Sequence, residues 1–272
     1  MRTSIQVGKI MGIPIKFHLN WLITAVLVTW SLAAGYFPQV FPGWKVTVYW
    51  FAGSITSFFF FGSVLAHELA HAIVAHREGI PVRDITLFIL GGLANITEEP
   101  DTPIAEFRIV VAGPLTSLLL SAGFLLVSLG TSFSQELSSV AIYLCEVNLL
   151  LALFNMIPGL PLDGGRILRS ILWNWMEDFD RATRWGSVLG LIFGLGISAA
   201  GIALMFSRNY FAGLWITFVG WYLVSTAQAS YRQTRVKDQN VAITIQDLLG
   251  EPEPVLQCES VKNRLAKIEL PD

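Results

Sequence analysis

Residues 61–80 read FGSVLAHELAHAIVAHREGI, two histidines and a glutamate inside a run that otherwise belongs in oil. His67 and His71 are four residues apart, so on a helix they lie one turn apart on one face, where both imidazoles can reach the same ion. Glu68 lies between them. H-E-x-x-H on a helix is the pattern in which the histidines bind Zn²⁺ and the glutamate takes a proton from the attacking water. The bland alternative is a pair of helix residues satisfied by neighbouring carbonyls. This chain, however, has four histidines and places two of them at ligand spacing within an apolar segment. Ionisable groups at membrane depth are costly to place and mark function by default.

A catalytic zinc takes three protein ligands and leaves one position open for water. Outside the motif, the candidate acids near the membrane are Glu78 and Asp84 after the second apolar run, Glu146 in the fourth, and Asp163 just beyond it. Glu78 follows Glu68 by ten residues, at the end of the same helix, so its return to the ion is awkward. Asp163 fits better. It lies in NMIPGLPLDGGR, residues 155–166, where Pro158 and Pro161 end a helix and Gly164 and Gly165 permit a tight backbone. Irregular backbone at membrane depth is tolerated where it is buried in protein or lines a watery cavity. Asn155 reads either as a helix-end cap or as a contact to substrate or to a developing oxyanion.

The elements that must position these residues are apolar helices. The chain has 272 residues, is 53% hydrophobic and 14% charged, and has a mean hydropathy of +0.58; this is membrane composition. A net charge of -2 offers no field for nucleic acid, and Cys145 and Cys258 have neither metal nor disulfide spacing. A hydrocarbon core about 30 Å thick needs roughly 20 apolar residues per helix. Runs of that kind fall near 19–37, 46–75, 107–131, 139–157, 185–206 and 211–230. The fold class is therefore an α-helical polytopic membrane protein with about six transmembrane helices. The first run carries Trp21 and Trp30 and has no small-x-small site before Phe37, which disfavours a cleaved signal.

Basic residues stay on the cytoplasmic side of a membrane. One set of loops holds Arg2, Lys9, Lys16, Arg77, Arg83, Arg108, Arg166, Arg169, Arg181, Arg184, Arg232, Arg235 and Lys237; the opposite set holds Lys45 and Arg208. Both termini are expected in the cytoplasm, and the second and fourth spans both descend to that side. His71 and Asp163 then arrive at the same level.

Two motifs together carry a resemblance. HELAH in the second span and NMIPGLPLDGGR after the fourth closely resemble the signatures of the site-2 protease family of intramembrane zinc metalloproteases, H-E-x-x-H and N-x-x-P-x-x-x-x-D-G, without a departure. AGPLTSLL, residues 112–119, is similar to the family's G-x-x-x-(N/S/G) motif, with Gly113 and Ser117 in place. The resemblance covers about residues 10–230, in the six-span branch related to members with C-terminal CBS domains. It implies one zinc ion held by His67, His71 and Asp163, Glu68 as general base, and Asn155 near substrate or oxyanion. The implied reaction is regulated intramembrane proteolysis. Its substrates would be single-span transmembrane proteins already cut by another protease, in a prokaryotic-type cell membrane, with lipid as the surroundings.

A helical substrate must unwind before hydrolysis, and something must pair with the extended segment. VRDITLFILGGLANI, residues 82–96, is rich in β-branched residues and broken at Gly91–Gly92 as a turn would be, a small membrane-edge β-hairpin or sheet. Pairing with a substrate strand at its edge and simple packing over the helices are both open readings. His76 and His18 read as interfacial, and Glu98, Glu99 and Asp101 as a solvated connector. Gly186, Gly190, Gly194 and Gly196 suggest close helix contact, within the protein or at a gate. The polar tail, residues 231–272 after a 1–230 protease domain, resembles the opening of a CBS-type regulatory domain. Two other classes compete with the protease: a silent adaptor that binds helices, which would not need Glu68, and a metal transporter, which would need polar positions in series.

Overall fold

The computed structural model describes residues 4–88, 91–96, 98–207 and 209–249, with the side chains at 91, 93, 94 and 233–249 outside that description. Two strands come first, β1 (Ser4–Ile10) and β2 (Ile13–His18), joined by a turn in which Met11 and Gly12 take positive φ. Helix α1 (Leu19–Ser31), a π-helical turn over Leu32–Tyr36 and α2 (Phe37–Val40) follow, then the long α3 (Val46–Arg77). Strands β3 (Val82–Phe88) and β4 (Gly91–Ile96) lead to α4 (Pro103–Gly130), α5 (Gln135–Asn155), α6 (Asp163–Met176), α7 (Phe179–Phe206) and α8 (Tyr210–Leu249). Among the described residues, six helical segments are long and apolar enough to cross a membrane: 19–40, 46–77, 103–130, 135–155, 179–206 and 210–232. The expected spans are all present, each within a few residues of its place. Helix α6, amphipathic and 14 residues long, is an addition that the hydropathy reading passed over.

Local chemistry sets the boundaries. Thr102, Ser134 and Asp178 cap α4, α5 and α7 by accepting backbone N–H groups from Ala105, Leu137 and Arg181. After α3, Gly79 at φ 83° lets Ile80 N–H return to Ala75 C=O, the left-handed stop that turns the chain back along its own helix.

That reversal builds a sheet against α3. The order is β1-β2-β3-β4, with β1/β2 and β3/β4 antiparallel and β2/β3 parallel. Ile13 and Ile85 pack on Ala72, with Leu65, Leu69 and Val82 around them; Phe17 stacks on Trp21, which meets Phe61 edge-on. The expected small membrane-edge hairpin or sheet is present as a four-stranded sheet. Gly91 and Gly92 are not the turn but the first residues of β4, paired with Phe88 and Leu87; the connection at 89–90 lies outside the described residues.

Asp84 belongs to this sheet. It is buried and accepts Lys16 Nζ at 2.7 Å from β2, Asn95 Nδ2 at 2.6 Å from β4 and Thr86 Oγ1 at 2.9 Å. Burial alone would raise its carboxyl, but these three donors outweigh it and hold it below the ordinary carboxylate range. Its stabilising contribution is present above about pH 4, the value of an unfolded aspartate, and is lost as pH falls through the lower folded value. Asp84→Ala, which orphans Lys16, is expected to cost about 1–3 kcal/mol and to flatten the acid limb of a thermal melt in detergent; an unchanged melt at both neutral and acid pH refutes this role.

The chain divides into two compact units, 1–231 and 232–272. Helix α8 continues to Leu249, and the remainder of the segment with CBS-like sequence, 250–272, lies outside the described residues.

Candidate metal centre

Three helices meet where the sequence places its chemistry. On α3, His67 and His71 are buried, their rings 4.8 Å apart and steeply inclined, as spacing by one helical turn requires. Asp163 is the first residue of α6. Its position is set by the 156–162 loop: Leu160 N–H donates to Gly186 C=O at 3.1 Å, and Gly159 lies so close to Gly190 of α7 that a Cβ would sit 2.5 Å from that residue's backbone. Gly164 and Gly165 lie as tightly against the loop's own backbone at Met156 and Gly159. The expected tight turn is thus present, and the fifth span supplies its floor. Gly194 serves a different contact, with Val224 of α8, and Gly196 has open space beside it.

His67 Nε2 lies 3.1 Å and His71 Nε2 3.3 Å from Asp163 Oδ2, and the two Nε2 atoms lie 3.2 Å apart. Four donors held tetrahedrally about 2.0–2.1 Å from a zinc ion are about 3.3–3.4 Å from one another, so three such positions are filled here. The hydrogen bonds behind the rings agree. His71 Nδ1 lies 2.7 Å from Ile109 O, a pure acceptor, so that nitrogen carries the proton; His67 Nδ1 lies 2.9 Å from Ser117 Oγ. With that proton placed, the His71 Nε2 lone pair and a carboxylate oxygen face one point beside His67 Nε2, an arrangement that a cation satisfies.

Room for an ion is kept by glycine. A Cβ at Gly113 of α4 would lie 2.7 Å from His67 Nε2 and closer still to His71 Nε2. At Gly92 of β4, a Cβ would collide with Glu68 Cγ and lie 3.2 Å from its Cδ. The strand therefore crosses directly over the glutamate of the H-E-x-x-H motif, and β4 pairs on its other side with no strand among the described residues.

The remaining candidates lie elsewhere. Asp84 ties the sheet, Glu78 pairs with Arg108 at 3.1 Å, and Glu146 is exposed on α5. Asn155 ends α5 and its amide donates to Leu151 O at 3.0 Å. His76 is exposed, and His18 caps α1. Glu98, Glu99 and Asp101 are exposed, as a solvated connector would be. Sequence reasoning missed the carbonyl of Ile109, which no residue type announces, and Glu106. A span begun at 107 leaves Glu106 outside, whereas α4 begins at Pro103 and buries it completely.

The fold and site together define a class: polytopic helical membrane proteins with a buried pair of histidines and an aspartate converging on one point. A profile of peptidase family M50 matches residues 55–140 and 126–197. Rip3 of Mycobacterium tuberculosis is 40% identical over 244 residues, 89% of this chain and 61% of the relative. A relative from Synechocystis sp. is 38% identical over 260 residues, 94% of this chain and 67% of its own length. A zinc metalloprotease of Methanocaldococcus jannaschii is 33% identical over 202 residues, 72% of this chain and 55% of that protein. Among solved structures, a site-2 protease from M. jannaschii superposes with a TM-score of 0.55 at 29% identity, covering 84% of this chain and 95% of that one. The chain belongs to peptidase family M50, the site-2 protease family. It spans about 61% of the length of the mycobacterial relatives.

Proposed function

We propose that this protein is a zinc-dependent endopeptidase that hydrolyses peptide bonds within or near transmembrane segments. The observation that carries the reading is the convergence of His67 Nε2, His71 Nε2 and Asp163 Oδ2, each an atom that can ligate a metal, within hydrogen-bond distance of one another. These three residues would hold the zinc ion, leaving a fourth position open. When bound, zinc supplies a Lewis acid that polarises the scissile carbonyl and acidifies water. Glu68 accepts the proton of the attacking water and delivers it to the departing amine, so the base returns to its starting state each turnover. Asn155, released from Leu151 O, donates to substrate or to the oxyanion.

The substrate is read by its backbone. A single-span helix, shortened beforehand by another protease, unwinds and adds as a strand to the free edge of β4, beside Glu68. Both termini face the cytoplasm across a prokaryotic-type membrane in this reading, which the distribution of basic loops supports. Residues 231–272 carry the sequence resemblance to the start of a CBS-type regulatory segment. The relatives' names and the fold support the protease reading, and the stacked geometry of Gly92 over Glu68 supports the strand mode.

The test is detergent-purified protein assayed for zinc content and for cleavage of a panel of single-span substrates, beside Asp163→Ala. The wild type is expected to hold one zinc per chain and to cut inside or beside a span; the variant is expected to lose at least about 100-fold in zinc affinity, as removal of a ligand does more harm than removal of a supporting hydrogen bond. Full zinc content in Asp163→Ala, or a zinc-loaded wild type that cuts no membrane substrate, rejects the proposal.

A further inference from the structure

One face of α4 carries, at helical spacing, Glu106, Ile109, Gly113 and Ser117. The last three meet His71, the space between the rings, and His67. Glu106 faces α6. It has no exposed surface, and Arg169 Nε lies 3.0 and 3.3 Å from its two oxygens while the terminal nitrogen of the same guanidinium completes the fork. Arg166 Nε stands 3.5 Å from Glu106 Oε1. The guanidinium of Arg169 also lies 4.7 Å over the ring of Phe179, at the start of α7, and Trp173 meets that ring edge-on at 4.9 Å. Arg166 and Arg169 follow Asp163 by three and six residues on the same short helix.

We propose that Glu106, Arg169 and Arg166 form a positioning clamp that fixes α6 against α4 and thereby sets the reach of Asp163 toward His67 and His71. This rests on the metal-site reading above. A buried ion pair is a poor way to gain stability, because its desolvation cost consumes most of the attraction and apolar replacements are often neutral or better. Its strength is directional: a two-pronged guanidinium–carboxylate contact fixes orientation as well as distance. Orientation is what α6 needs. Asp163 stands six residues, about 9 Å, from Arg169 along the axis, so a tilt of about 5° about that anchor moves the carboxylate by about 0.8 Å. Metal–ligand distances tolerate only about 0.2 Å. One turn further out, the contact between α4 and α6 is a shallow cavity of about 190 Å³ lined by Pro103, Ile104, Phe107, Ser170, Ile171 and Asn174, which sets no comparable orientation.

The experiment uses the full chain in detergent with the double substitution Glu106→Met and Arg169→Met, which removes both halves of the buried fork and leaves Arg166, whose side chain is partly exposed, to solvent. The melting temperature is expected to stay near that of the wild type, while zinc affinity falls about 10- to 100-fold, the usual effect of losing support behind a ligand. The visible bands of the cobalt(II)-substituted protein, which report ligand geometry, are expected to shift. Wild-type zinc affinity and an unchanged cobalt spectrum in the folded double variant overturn the proposal. Should that variant not fold, Arg169→Lys, which keeps the charge and removes the fork, decides: lowered zinc affinity supports the clamp and wild-type affinity overturns it. A wild type that takes up no stoichiometric zinc instead overturns the metal-site reading itself.

Discussion

Gly113→Ala is expected to abolish stoichiometric zinc binding while leaving the protein folded. The added methyl would project between the two imidazoles, 2.7 Å from His67 Nε2 and nearer to His71 Nε2. It would fill the space that the three converging donors enclose. Neither ring can retreat without giving up the bond behind it, to Ser117 Oγ on one side and Ile109 O on the other. The helix itself gains from the change, since alanine is favoured over glycine by about 1 kcal/mol within a helix. Gly123→Ala, on the same helix with nothing within 4 Å of its Cβ, makes that gain alone. Gly123→Ala should therefore melt at or near the wild-type temperature, and Gly113→Ala, in which the crowding of two buried rings offsets the helix gain, should stay folded but melt somewhat lower. Zinc measured after exhaustive dialysis should be retained by Gly123→Ala and weakened at least about 100-fold in Gly113→Ala, by comparison with the tenfold to hundredfold typical of subtler changes around a ligand. One zinc per chain in Gly113→Ala would sink the placement of the ion between these rings.

The same neighbourhood shows which physical signals a sequence carries openly. H-E-x-x-H is legible because one helical turn fixes the separation of His67 and His71 regardless of what surrounds them. Asp163 is legible because prolines and glycines must interrupt a helix if a side chain is to be brought to a point from outside it. The six spans are legible because the length of an apolar run is set by the thickness of hydrocarbon. The reading fails where a residue's partner is distant in the chain. Strands β1 and β2 are seven and six residues long, and β2 finds its parallel partner only across α1 and α3, so no local pattern announces the pair. Gly91–Gly92 suggests a turn, since glycine there usually serves conformation; in β4 Gly92 serves proximity, sparing Glu68 a collision. Arg166 and Arg169 mark a side of the membrane in the sequence, and that use hides the buried carboxylate they grip.

Glu68→Gln is expected to keep zinc and to lose cleavage by about 100- to 10,000-fold, the range a general base contributes. Glutamine has the size of glutamate and leaves the ligand set alone, so a metal assay and a turnover assay on the same preparation should part company. The structure adds a second way to reach the same defect. Gly92→Ala leaves the carboxylate in place chemically but pushes a methyl into its stem, with Leu87 Cδ2 also only 3.1 Å from it, so the strand has little room to yield. A displacement of about 1 Å at a reacting group can cost about 100-fold in rate. If β4 acts by holding Glu68 in register, the two changes act on one group and must not add: Gly92→Ala should slow the wild type by about that factor and should leave Glu68→Gln no slower than it already is. Independent losses in the double variant would mean that β4 serves substrate pairing alone, and undiminished cleavage by Glu68→Gln would remove the glutamate from proton transfer altogether.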